Sequence, residues 1–147
     1  MDNFQKTMIL QATGSKVFHA LTNFIPQWWT ETFEGVANIQ GETFTIRFGA
    51  NIFKTMRVEE LIPNKKVVWV VTGSLIDLPE LINKTEWIDT RIIWEITEND
   101  TDTTLLLTHL GLTPEIECYS ICESGWNSFT NSLKAFLETG KGNQFKP

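Results

Sequence analysis

The sequence holds only two histidines, two cysteines and one tyrosine in 147 residues, and this scarcity narrows its chemistry first. His19 and His109 stand far apart and lack the tight spacing of a zinc ligand set, so no metal and no cofactor is expected. Cys118 and Cys122 lie one helical turn apart, which reads as free thiols rather than a disulfide framework. No segment approaches the ~20 apolar residues needed to span a bilayer. The opening MDNFQKTMIL has no basic stretch followed by an apolar run, so the expectation is a cytoplasmic protein without membrane insertion. Positive charge is short as well, with 12 Lys and Arg against 18 Asp and Glu and a formal charge of −6. Nucleic-acid affinity draws mainly on clustered cations, so DNA and RNA are excluded as partners.

Catalytic signatures are missing too. No Gly-x-Ser-x-Gly elbow is present, and Gly73-Ser74 falls in an expected loop rather than a strand-turn-helix. Gly140-Lys141-Gly142 departs from a phosphate loop, because Ala135 stands where the first glycine belongs and Gly142 where Ser or Thr belongs. No catalytic residue is assigned, and an enzyme is the less favoured reading. The Asn83-Lys84-Thr85 and Asn99-Asp100-Thr101 sequons carry no meaning in a chain that is not exported.

What remains is ordinary globular material, 41% apolar and 20% charged, and long enough for one domain spanning 1–147 with room for a modest cavity. Residues 4–12 alternate as a strand. Thr13-Gly14-Ser15 then opens a short helix carrying Val17, Phe18 and Leu21, and a second short helix or turn follows at Pro26-Gln27-Trp28-Trp29. Strands are expected near 33–39, 42–48, 53–62, 66–72, 86–97 and 103–110, paired antiparallel across short turns. Period two puts Leu105, Leu107 and His109 on one face, and does the same for Ile92, Trp94, Ile96 and for Val67, Trp69, Val71.

Thr113-Pro114-Glu115 has the chemistry of a helix start. From Cys118 through Cys122, Trp126, Phe129 and Leu133 an apolar stripe at three- and four-residue steps continues to a stop at Gly140. Strand, two short helices, six strands and one long helix is an α+β order in which the last helix lies across a curved antiparallel sheet of about seven strands. The connection Gly73 to Ile82 is longer and more apolar than a hairpin needs, so residues 75–82 are expected to act as a lid.

Several pieces together resemble one superfamily: Val17-Phe18-His19-Ala20-Leu21-Thr22 before Trp28-Trp29; Val58-Glu59-Glu60-Leu61-Ile62-Pro63; Thr104 to His109; Gly125-Trp126; Ser132-Leu133-Lys134; and Glu138-Thr139-Gly140-Lys141-Gly142. In that order they resemble the START-like, or SRPBCC, superfamily in the branch of the heat-shock-protein-90 ATPase activator homologues. The resemblance implies a helix-grip fold with a pocket between helix and sheet, used across the superfamily for lipids and other apolar molecules. It transfers architecture better than activity.

The leading expectation is therefore a binder of a small hydrophobic molecule, with Trp28, Phe48, Met56, Trp69, Trp94, Leu107, His109, Trp126 and Phe129 lining the site. Its centre is expected in the space bounded by Trp126, Trp94 and His109. His109 reads either as a ligand anchor or as a satisfied structural residue, and a lone histidine on an apolar face favours the latter. Cys118 and Cys122 read as small groups packed inward. Gly125, costly inside a helix, marks a close approach or a bend beside Trp126. The alternatives are a chaperone ATPase co-regulator acting by protein contact in a stress response, and a small-molecule cyclase or hydrolase. A monomer and a homodimer are both compatible with the sequence.

Overall fold

A computed structural model describes residues 3–147. Strand β1 (Phe4–Leu10) is followed by helices α1 (Gly14–Asn23) and α2 (Ile25–Trp28). Strands β2 (Phe33–Gly35), β3 (Thr43–Arg47), β4 (Ile52–Ile62), β5 (Lys66–Ile76), β6 (Arg91–Glu98) and β7 (Thr103–Leu110) come next, and helix α3 (Tyr119–Thr139) ends the order. The seven strands form one sheet in the order β1-β7-β6-β5-β4-β3-β2, and all its pairings are antiparallel. This is the helix-grip α+β arrangement, with α3 packed over the concave face.

The alternation of the central strands sets that face. Leu105, Leu107 and His109 are fully buried, as are Ile92, Trp94, Val67, Trp69 and Val71. Burial of each leucine contributes roughly 1.5–3 kcal/mol. Two bulges bend the sheet where β4 meets β5. The register steps from Gly73↔Thr55 to Val71↔Met56, and from Glu60↔Val68 to Val58↔Trp69, leaving Thr72 and Glu59 as the extra residues. A bulge inverts the alternation beyond it. Ser74 and Ile76 therefore face inward, although Val67, Trp69 and Val71 fix the opposite parity earlier in the strand.

Several boundaries differ from the sequence reading. β5 runs to Ile76 rather than stopping near 72, and β6 starts at Arg91, so the connection is 77–90 and the segment from 86 to 90 is turn and loop. Residues 75 and 76 of the expected lid are strand. β2 ends at Gly35, where φ is +105° and a Cβ would run into the Thr43 carbonyl oxygen.

The start of the long helix also moves, from the Thr113-Pro114-Glu115 signal to Tyr119, with Cys118 at the N-cap. The reason is a competing partner. The Glu86 carboxylate accepts the N–H groups of Glu117 and Cys118 (both 3.0 Å), which a helix begun at Thr113 would have bonded to its own carbonyls. Residues 114–118 form successive tight turns instead, with Ile116 N–H on Thr113 O and Tyr119 N–H on Ile116 O. α3 ends as expected at Gly140, left-handed at φ 86°, its N–H on Phe136 O. The chain then returns beneath α2, where Phe145 N–H donates to Trp29 O and Glu31 N–H to Phe145 O.

Candidate functional site

A cavity of about 320 Å³ lies between α3 and the sheet. On the α3 side its wall is Ile121, Cys122, Gly125, Trp126 and Phe129, positions three and four apart on one helical face. The sheet side supplies Phe48, Ile52, Lys54 and Ile76; Trp29, Trp87 and Phe145 close the remainder. Phe48, Ile52, Ile121, Phe129 and Phe145 are only half-buried, so the cavity opens to solvent on their side. Its size is at the small end of ligand pockets, and its wall is almost wholly apolar.

The aromatic wall is braced from behind. Trp29 stacks on Trp28 (centroids 5.3 Å, 11° between planes) and on Trp69 (5.7 Å, 21°), and tilts against Trp126 at 5.3 Å. Trp28 is held by its indole N–H on Ala20 O, 2.8 Å. Trp94 meets Trp28, Trp69 and Trp126 edge to face. These offset and edge-on arrangements are the favoured ones for π-systems, and they fix the rings that reach the cavity.

His109 sits outside the cavity. Its Nδ1 accepts the Trp126 indole N–H at 3.0 Å, so the ring proton is on Nε2, which donates to Thr90 Oγ1 at 2.9 Å. Thr90 Oγ1 donates onward to Trp87 O, 2.6 Å. Both nitrogens are thus committed, and one imidazole joins β7, α3 and the 77–90 connection. Burial, with the nearby Lys54 ammonium a lesser cause, lowers its pKa to about 3 and keeps it neutral.

Of the nine residues expected to line a site, Phe48, Trp126 and Phe129 border the cavity. Trp28, Met56, Trp69, Trp94, Leu107 and His109 are fully buried and form the layer behind it. The cavity is bordered by Trp126, Trp87 and Lys54 of β4, and not by Trp94 or His109. Sequence reasoning missed Trp29, Trp87, Phe145 and Lys54. For Lys54 a signal existed, because period two from Met56 and Val58 places it on the inward face.

Among the described residues, Lys54 is the one charged group in the wall. It is 8% exposed, and its ammonium lies 4.3 Å from the Trp87 ring centroid and 5.1 Å from that of Phe48. Burial lowers its pKa to about 8. Cys118 and Cys122 are both buried, with Sγ atoms 2.9 Å apart, and Trp87 Nε1 donates to Cys122 Sγ at 3.1 Å. The hydrogen bond to Cys122, followed by burial, pushes the Cys118 thiol up, which leaves it an inert packed group.

The connection over the cavity is clasped to the turn before α3. Glu117 accepts the N–H groups of Ile82 (2.8 Å) and Asn83 (2.7 Å), while Glu86 returns the favour across the same gap. Those two backbone bonds, first Ile82 and then Asn83, hold the Glu117 carboxyl below its ordinary range. A depressed carboxylate contributes its stabilisation above the unfolded-state pKa and loses it as pH falls through the folded value. Amide protection factors at Ile82 and Asn83 are therefore expected to drop on acidification and in Glu117→Gln at neutral pH; unchanged protection in both would refute the clasp.

The sequence matches the family described as Activator of Hsp90 ATPase homolog 1-like protein over residues 11–138. Among solved structures, the solution structure of the Aha1 dimer from Colwellia psychrerythraea is similar at 30% identity and a TM-score of 0.80, covering 97% of this chain and 100% of that one. DynU16, a protein of the dynemicin biosynthetic locus, aligns at 20% identity and TM-score 0.73 over 97% of this chain and about half (49%) of its own. CalU16 from Micromonospora echinospora aligns at 18% and 0.67, covering 95% of this chain and 75% of that one. The last two likenesses concern fold alone. No curated protein matches the sequence. Among the described residues no helix is long and apolar enough to cross a membrane. With a family match across most of its length and a full-length structural relative, this chain belongs to the Activator of Hsp90 ATPase homolog 1-like family, within the START-like superfamily.

Proposed function

We propose that the protein is a non-catalytic binder of a small hydrophobic molecule, held between α3 and the sheet. The observation that carries this reading is the cavity itself, about 320 Å³ walled by Trp29, Phe48, Trp87, Trp126 and Phe129. Water in such a space finds few polar partners, so an apolar molecule gains affinity by displacing it. The commitment of both His109 nitrogens supports binding over acid–base chemistry, since neither is available to a reacting group. We place the whole chain, 1–147, in one domain in the cytoplasm. A homodimer is the assembly favoured by the dimeric state named for the Colwellia relative.

The family description also names a chaperone ATPase activator, and a chaperone-directed role is the second reading. Titration with the neutral apolar dye N-phenyl-1-naphthylamine separates the two. Saturable one-to-one binding with quenching of tryptophan emission is expected. Absence of saturable binding, together with native mass spectra of freshly purified protein free of any bound species, would overturn the ligand-binding reading.

A further inference from the structure

We propose that Lys54 is the headgroup anchor of this cavity and that the molecule it takes is an apolar monoanion, a carboxylate carried on a flat hydrocarbon body. This rests on the ligand-binding reading above and adds the ligand's charge to it.

The argument starts from how the other buried polar groups are treated. Thr30, Thr90, Thr103, Thr130 and Ser132 each donate to a backbone carbonyl, and His109 uses both nitrogens. The partly buried lysines find oxygen: Lys6 bonds Thr130 Oγ1, Lys84 bonds Leu78 O, and Lys66 pairs with Glu60. Lys54 departs from this pattern. It is more than nine-tenths buried, yet none of the described residues gives its ammonium a hydrogen bond or an ion pair. Its contacts are the faces of Trp87 and Phe48, and ring faces accept no full share of three N–H donors.

Among the described residues, buried donors without a partner are Trp69 Nε1, Trp94 Nε1 and the hydroxyl of Ser74, the residue directly across from Lys54. Ser74 pairs with Lys54 in the β4–β5 register, faces inward because of the Thr72 bulge, and has a buried hydroxyl with no hydrogen-bond partner. The Lys54 ammonium thus stands without an oxygen partner in the wall of an otherwise apolar cavity, and Ser74, opposite it in the strand pairing, lies outside that wall. A lysine so enclosed without a polar partner is costly, and methionine would fill the position without that cost. Cys122 gives the Lys54 ammonium no hydrogen bond, its Sγ being engaged with Cys118 Sγ and the Trp87 N–H.

A carboxylate seated there takes the Lys54 N–H bonds that no protein oxygen takes. A single cation matches a single negative charge, and a dianion would leave charge stranded against tryptophan rings. The walls formed by Trp29, Trp87 and Trp126 suit a planar body, and the volume limits it to a small ring system.

The test compares 2-naphthoate with the neutral 2-naphthalenemethanol by isothermal titration on wild type and Lys54→Met. Wild type is expected to bind 2-naphthoate at least about ten-fold more tightly than the alcohol, the scale of a charge-assisted hydrogen bond. Lys54→Met is expected to lose that preference while holding the alcohol as well as wild type does. Equal wild-type affinities, or a preference that persists in Lys54→Met, overturn the anion assignment and leave the cavity reading standing. Failure of wild type to bind either probe overturns both. The wild-type comparison decides the matter even if the variant does not fold.

Discussion

Replacing His109 by alanine is expected to destabilise the protein by about 3–4 kcal/mol, the largest effect of any single substitution considered. The loss has two parts. Truncation of a fully buried imidazole leaves a void behind β7, and the Trp126 indole N–H loses its acceptor in a site closed to water. Trp126 then loosens, and with it the wall of the cavity. A double-mutant cycle with Trp126→Phe isolates the second part, for which a coupling of about 1 kcal/mol or more is expected from groups in direct contact. Additive effects would contradict the network.

The same residue governs the acid limb of stability. Its folded pKa, about 3, lies below the ordinary value of 6.5, so the folded state binds fewer protons than the unfolded one. Its contribution is complete above pH 6.5 and is lost as pH falls toward 3, at about 1.4 kcal/mol per pH unit. Urea midpoints of wild type are expected to fall between pH 6.5 and 5, where few carboxylates titrate. In His109→Phe that slope is expected to flatten.

The sequence made the sheet legible wherever period two ran undisturbed. Leu105, Leu107 and His109 on β7, and Ile92, Trp94 and Ile96 on β6, face inward as their alternation requires. It was opaque where a distant partner decides. Thr113, Pro114 and Glu115 have every local attribute of a helix start, but Glu86, far away in the chain, accepts the N–H groups that would have closed the first turn. Ser74 and Ile76 turn inward through a bulge at Thr72 that only pairing with β4 reveals.

The candidate site shows the same division. Phe48, Trp126 and Phe129 were accessible to pattern reading. Lys54 lies on the inward face that Met56 and Val58 define on β4, where a charged side chain is the type least expected, and its charge is the property that makes it informative. Trp87 lies in a connection that an apolar composition disguised as strand. Trp28, Trp69 and Trp94 belong to the packed layer, fully buried, with the Trp94 ring 6.1 Å from that of Trp28 and 5.7 Å from that of Trp69.

Gly125 offers the second large effect, this time on binding. It sits in the middle of α3 on the cavity face, between Cys122 and Phe129, and a Cβ added there meets nothing within 4 Å. Glycine inside a helix costs about 1 kcal/mol relative to alanine, so its presence weakens α3 and its absence of a side chain keeps the cavity open. Gly125→Phe is expected to place a ring in the cavity among Trp87, Trp126 and Phe129, with stability equal to or above wild type. The small apolar probe then has nowhere to bind.

N-phenyl-1-naphthylamine titrated into wild type and Gly125→Phe, with thermal unfolding recorded for both, therefore tests the central claim most directly. The account predicts saturable one-to-one binding in wild type and at least about a hundred-fold weaker binding in a fully folded variant, since a filled pocket forfeits most of the apolar contact. Equal binding by the two proteins would contradict it.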